Sequence, residues 1–278
     1  QAATNPIFSF LSSASRSELK EGDYRYFSDE ECERLFEQLQ SPQADADTTA
    51  VLNTTRPNVV LIILESFGRT ITDEVIDGKE VTPHLNSLKS EGIWFENLFA
   101  NSFRTDRGTV AVMSGYPAHP VVSVMKYPQK AHTLPAIARS LQKEGYATSF
   151  MYGGDANFTN TISYLYGTGV EQIIDKAQMH FDAPTNKWGY ADEVVCPYFA
   201  DEVLRLSQEG KPFFATLITL SSHEPFDVPY SAFENKILNA AAFTDECVGK
   251  MIERWKQSPA WEDMLIVLIA DHSLAYPE

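Results

Sequence analysis

The sequence predicts an α/β fold: a mostly parallel central sheet with helices on both faces, preceded by an N-terminal helical extension. Three observations lead there: apolar runs without in-and-out alternation, helical segments between them with recognisable starts and stops, and polar residues clustered directly after the runs.

The run NVVLIIL at 58–64 is β-branched and apolar on both faces, as a central strand covered by helices on each side must be. PFFATLITL at 212–220 and MLIVLIA at 264–270 read the same way, and ATSFMYGG at 147–154 reads as a strand running into a glycine pair. Between them, VTPHLNSLKSEG predicts a helix with Thr82 as N-cap, Pro83 at the first helical position and Gly92 as the stop. IWFENLFA at 93–100 follows as a further predicted strand. HTLPAIARSLQKEGY repeats the helix grammar, with Thr133 capping, Pro135 in the first turn and Gly145 ending it. Two longer helices are predicted over 191–210 and 239–258.

Residues 1–57 differ in composition and form a separate extension or linker arm. One amphipathic helix is predicted from Ser28 to Gln40, with Ser28 as N-cap and Glu31 completing a capping box. A polar stretch at 41–57 reads as a linker. Residues 58–278 form the predicted catalytic domain, which is expected to be truncated at its C-terminus because Glu278 follows so soon after His272. The start at Gln1, with no charged and then apolar leader, reads as a processed ectodomain or as an excised piece of a longer chain.

Hydrophobic residues make up 44% and charged residues 22% of the 278-residue chain, the composition of a globular protein with a real core. A formal net charge of -16 argues against nucleic acid as a partner and against a basic face for anionic lipid. Cys32, Cys196 and Cys247 are widely spaced and form no CxxC pair, which argues against a disulfide framework and a thiolate zinc site and leaves room for at most one disulfide. No apolar run approaches the roughly 18 residues of a membrane span.

The chemistry-bearing residues stand where the apolar runs end. NVVLIIL ends in Glu65, the run at 212–220 leads to His223, and MLIVLIA leads to Asp271 and His272. Ligands of open α/β sheets bind beyond the carboxyl ends of the strands, so these groups can converge although distant in sequence. ANSFRTDRGTVAVMSGYP adds the hydroxyls of Ser102, Thr105, Thr109 and Ser114, flanked by Arg104 and Arg107. An alcohol becomes a competent nucleophile when a metal or base lowers its pKa, and arginines can grip phosphoryl oxygens by bidentate contacts. A helix starting at this segment would direct its positive end at an anion.

ILESF, TPHLNSLKSEGIWFEN, FRTDRGTVAVMSGYP, MYGGDANF, TLITLSSHEPF and IADHS, in that order, resemble the lipoteichoic acid synthase group of the sulfatase-like hydrolases, across residues 58–278. The resemblance implies an alkaline phosphatase/sulfatase-like fold and one divalent cation, manganese or magnesium first and zinc second, held by Glu65, Thr105, Asp271 and His272. It implies Thr105 as the nucleophile that forms a phosphothreonine, His223 as the residue assisting the leaving group or acceptor, and Asp155 in the substrate pocket with Arg104 and Arg107. The implied activity moves a phosphoglycerol-type group from a phospholipid to a glycan or polymer acceptor. The implied location is the outer face of a bacterial inner membrane, with the membrane reached through a segment absent from this chain. Phosphoethanolamine transfer, general phosphodiester or phosphate-ester hydrolysis, and a non-catalytic lipid-binding regulator are the alternatives on the same scaffold.

One departure bears on specificity: Phe158, Thr159, Asn160 and Thr161 stand where the family carries FWNR, so a headgroup-contacting aromatic and Arg are missing. Arg104, Arg107 and Lys126 are the candidate substitutes. FRTDRG also lacks the Cys or Ser from which sulfatases proper make their aldehyde nucleophile, so sulfate-ester hydrolysis is not expected.

Overall fold

The computed structural model describes residues 5–15, 26–40, 51–119 and 121–276. The chain divides into two units, residues 1–51 and 52–278. The first contains α1 (Pro6–Ser15) and α2 (Asp29–Gln40). α2 starts as its capping residues dictate, with Ser28 Oγ accepting from the Glu31 N–H at 3.2 Å. α1 was not anticipated, although its apolar residues Ile7, Phe8, Phe10 and Leu11 recur one helical turn apart. Asn5 caps it, its Oδ1 accepting from the Ile7 and Phe8 N–H groups.

The second unit opens with β1 (Asn58–Leu64), α3 (Arg69–Thr72), the short strands β2 (Val75–Ile76) and β3 (Lys79–Glu80), and α4 (Pro83–Leu88). It continues through α5 (Thr105–Ser114), α6 (Pro128–Ala131), α7 (Ile137–Lys143), β4 (Ala147–Tyr152), α8 (Thr161–Gly167) and β5 (Gln172–Ile174). α9 (Asp192–Ser207), β6 (Phe213–Ile218), α10 (Lys236–Lys256) and β7 (Met264–Ala270) complete it.

Five strands form one parallel sheet in the order β5-β4-β6-β1-β7, while β2 and β3 pair antiparallel apart from it. β1 lies between β6 and β7, with Val60 level with Ala215 on one side and Ile266 on the other. Its two faces feed two cores, as its unbroken apolar run requires. Val60, Ile62 and Leu64 pack with Phe199 and Val203 of α9 and Val248, Ile252 and Trp255 of α10. Leu61 and Ile63 pack with Val110 and Met113 of α5 and Leu165 of α8. Each such fully buried side chain contributes roughly 1.5–3 kcal/mol over its exposed state. Helices therefore cover both faces of the sheet, and the carboxyl ends of β1, β6 and β7 lie side by side.

Three local expectations fail for physical reasons. IWFENLFA forms no strand: Ile93, Phe95, Leu98 and Phe99 are exposed, and strand propensity stays unrealised where no ladder is offered to the segment. Thr82 precedes α4, but its hydroxyl donates to the Thr72 carbonyl, and the helix is capped by Asp245 of α10, which accepts from the His84 and Leu85 N–H groups at 3.0 and 2.8 Å. Thr133 likewise donates to the Lys130 carbonyl, and α7 begins later, after Ala136. In both cases the hydroxyl is spent on a carbonyl, of α3 for Thr82 and of the preceding turn for Thr133, and neither caps a helix.

Candidate active and metal-binding site

Glu65 leaves β1 at its carboxyl end, and Asp271 and His272 leave β7 beside it. One ligand atom from each of the three lies within 4.8 Å of the others, and all three residues are buried. His272 Nε2 stands 3.5 Å from both Glu65 Oε1 and Asp271 Oδ2. Thr105, the first residue of α5, joins them: its hydroxyl donates to Glu65 Oε2 at 2.9 Å and lies 3.5 Å from His272 Nε2.

The neighbours of these groups hold them by hydrogen bonds, and Asp271 Oδ2 alone of the carboxylate oxygens is left without one. The Glu65 N–H donates to Thr219 Oγ1, and Ser222 Oγ donates to the Glu65 carbonyl, so the end of β6 fixes the end of β1. Asp271 Oδ1 accepts from the Ser66 and His272 N–H groups at 2.9 and 2.7 Å. Ser66 adopts a left-handed φ of 62°, a conformation costing about 1–3 kcal/mol in a non-glycine residue, and its N–H and hydroxyl are thereby spent on Asp271 and Glu65. α5 can approach because residue 108 is glycine: a Cβ there would sit 2.4 Å from the Asp271 carbonyl oxygen. That contact seats Thr105, one turn earlier, against Glu65.

The electrostatics of the cluster call for a cation. Burial raises the Glu65 carboxyl above its ordinary range, only partly offset by the Ser66 hydroxyl. Burial first, and the adjoining Glu65 charge second, raise Asp271 well above the usual carboxylate range. Tyr152, at the end of β4, is pushed upward by burial and then by the Glu65 and Asp271 charges. Asp271 Oδ2 is buried without a hydrogen-bond partner, an arrangement that costs free energy unless something cationic accepts its lone pairs. Two carboxylates, an imidazole and a hydroxyl form a mixed oxygen and nitrogen donor set that fits a divalent ion of the manganese, magnesium or zinc kind.

The other residues singled out from the sequence lie on loops and helix ends with local partners. Arg104 is exposed and precedes α5, its carbonyl accepting from the Arg107 and Gly108 N–H groups. Arg107 donates to the Val121 carbonyl at 2.9 Å and lies over the Phe103 ring. Asp155 is exposed and accepts from the backbone and side-chain N–H groups of Asn157, bonds that hold its carboxyl below the ordinary range. His223 is half-buried and follows Ser222, with Nδ1 2.8 Å from the Glu224 carbonyl and its ring against Trp188. Thr109 is buried inside α5, and Ser102 accepts from the Arg104 N–H, which leaves Thr105 as the hydroxyl at the cluster.

Two supports escaped the sequence reading. Asp192 of α9 is fully buried and accepts from the Leu220 and Ser221 N–H groups and the Thr244 hydroxyl, bracing the loop that carries Ser222 and His223. Its only signal was its place as the first residue of a helix. Trp188 carried no signal in its own segment.

With this geometry in place, comparison with known proteins identifies the chain's relatives. The sulfatase family profile matches residues 57–277. The chain belongs to the sulfatase family. Among curated relatives, it is 26% identical to lipoteichoic acid synthase 2 of Bacillus subtilis, over 77% of this chain and 35% of that protein. It is 28% identical to phosphoglycerol transferase I of Xanthomonas campestris, over 80% of this chain and 34% of that one. The chain thus spans about a third of the length of these relatives. Among solved structures, a protein of the alkaline phosphatase superfamily from Vibrio parahaemolyticus superposes with a TM-score of 0.73 at 31% identity, covering 81% of this chain and 57% of that one. The sheet order and its helical layers are those of the alkaline phosphatase/sulfatase-like fold.

Proposed function

We propose that this sulfatase-family chain is the catalytic part of a metal-dependent transferase that moves a phosphoglycerol-type group from a phospholipid to a glycan or polymer acceptor. The observation that carries the reading is the hydroxyl of Thr105 at the start of a helix, 2.9 Å from Glu65 and beside Asp271 and His272. The names of the curated relatives support the transferred group.

Glu65, Asp271 and His272, with Thr105, would hold one divalent cation. Bound there, such an ion supplies Lewis-acid stabilisation of phosphoryl oxygens and a lowered pKa for the attacking hydroxyl. The remaining steps belong to the protein's own groups. Thr105 Oγ1 attacks the phosphodiester phosphorus, the Oγ–P bond forms as the bond to the diacylglycerol oxygen breaks, and the hydroxyl proton departs toward Glu65 Oε2, the acceptor it already faces. His223, entering as the imidazolium, supplies its Nε2 proton to the leaving oxygen and, left neutral with the proton on Nδ1, withdraws one at Nε2 in the second half-reaction from the acceptor hydroxyl that attacks phosphothreonine. The amino end of α5 favours the anion held at its first residue, and Arg104 and Arg107 flank it to take charge from the transferring group. Asp155 would help orient the substrate.

In this reading the catalytic part lies at the outer face of a bacterial inner membrane, where donor lipid and envelope acceptor meet. Phosphoethanolamine transfer or general phosphodiester hydrolysis is the second reading, favoured by Thr159 and Thr161 at positions where an aromatic and an Arg were expected. Incubation of the manganese-loaded protein with phosphatidylglycerol or phosphatidylethanolamine separates the two. Diacylglycerol release from phosphatidylglycerol alone supports glycerophosphate transfer, and release from phosphatidylethanolamine alone supports the alternative.

A further inference from the structure

His223 stands on a loop, and a loop imidazole used for proton transfer needs its proton fixed on one nitrogen and its ring held in one orientation. The Glu224 carbonyl oxygen lies 2.8 Å from His223 Nδ1 and also accepts from Trp188 Nε1 at 2.7 Å. A carbonyl oxygen can only accept, so Nδ1 is the protonated nitrogen of the neutral ring and Nε2 is left as its basic atom. The Trp188 ring covers the imidazole, with centroids 4.5 Å apart at a tilt of 57°.

Trp188 is itself well anchored. Phe158 meets it edge-on at 5.7 Å, and Lys187 Nζ lies 4.7 Å over its ring. Asn186 Oδ1 accepts from the Trp188 and Gly189 N–H groups at 2.8 and 3.0 Å. Gly189 bridges to Gly154 beyond the end of β4, where any Cβ on residue 189 would lie 2.0 Å from the Gly153 carbonyl oxygen. The indole is thus tied to the sheet through a glycine contact, and the imidazole is tied to the indole.

We infer that Trp188 is a positioning residue for His223, packing against its ring and, through its N–H, anchoring the Glu224 carbonyl on which the Nδ1–H tautomer depends. Its catalytic consequence rests on the role given to His223 above, whereas its structural content does not. Both are read in one experiment on the full chain labelled with 13C-histidine. The Cδ2 shift of a neutral histidine reports which nitrogen carries the proton, and His223→Gln identifies the resonance by its disappearance. In the wild type the Nδ1–H form is expected to dominate, although a free histidine side chain in water favours the other. Trp188→Phe keeps a ring but loses the N–H, and Trp188→Ala loses both, so the Nε2–H form should grow in that order.

With bis(p-nitrophenyl) phosphate, kcat should fall about 10- to 100-fold in Trp188→Ala while KM moves less than about twofold, the pattern of a displaced catalytic group and not of lost substrate binding. If Trp188→Ala fails to fold, Trp188→Phe alone decides the point. An unchanged Nδ1–H signal in the folded variants overturns the inference. A tautomer shift in a protein whose wild type turns over no phosphodiester leaves the positioning role standing and removes the proposed function instead.

Discussion

The Glu65 cluster and the His223 loop sit at the ends of neighbouring strands but are held by different means. Glu65, Asp271 and His272 are buried; hydroxyls hold Glu65, backbone N–H groups and the close approach of α5 through Gly108 hold Asp271, and the Ser273 carbonyl holds His272. His223, Asp155 and Arg104 lie on half-buried or exposed segments and take their bonds from residues a few positions away. Rigid, charge-frustrated packing suits atoms that must converge on one cation, because an error of a few tenths of an ångström there changes coordination. Groups that meet a variable substrate need orientation more than immobility, and loops provide it.

Breaking the buried half should have the larger effects. Thr105→Ala removes the nucleophile and is expected to lower turnover by at least about 10³-fold with an unchanged circular dichroism spectrum. Gly108→Ala should come next: its Cβ would meet the Asp271 carbonyl at 2.4 Å, so α5 must shift, at a cost of about 1–3 kcal/mol and with loss of manganese affinity by calorimetry. Asp192→Asn turns one acceptor oxygen into a donor facing either the Leu220 N–H or the Ser221 N–H and Thr244 hydroxyl, and should cost about 1–3 kcal/mol in urea unfolding.

Acid sharpens the same contrast without mutation. Burial raises the carboxyls of Glu65, Asp271 and Asp192 above their ordinary values, so between about pH 4 and neutrality the folded, metal-free chain binds more protons than the unfolded one. The stability these groups contribute is therefore fully present below the unfolded pKa values and lost as pH rises through the folded ones. A cation held by Glu65 and Asp271 replaces the protons on those two carboxyls, so the rise in Tm on adding manganese should be larger at pH 8 than at pH 5.5. An equal rise at both would detach these carboxyls from the metal. The smallest effect belongs to the outer half: Asp155→Asn keeps a side-chain oxygen for the Asn157 N–H and should change stability by less than about 0.5 kcal/mol.

Sequence legibility cut across that division. Glu65, Asp271 and His272 stand directly after β1 and β7, so the apolar runs that predict those strands also point to the residues at their ends. Gly108 was opaque because its reason is a carbonyl oxygen far along the chain. The cap of α4 was assigned to Thr82 by local grammar, whereas the structure uses Asp245, 160 residues from Leu85. IWFENLFA has the composition of a strand, but a strand exists only where a neighbour offers a ladder, which composition does not reveal. Trp188 acts on a carbonyl 36 residues away, and nothing in its own segment announces that partner.

The most direct test of the central claim is the site of covalent phosphorylation. The manganese-loaded protein is mixed with phosphatidylglycerol, quenched in acid within its first turnovers, digested and sequenced by mass spectrometry. A glycerophosphoryl adduct on Thr105, absent from Thr105→Ala, is the result the account predicts. An adduct on Ser102 or Thr109, or undiminished turnover by Thr105→Ala, would contradict it.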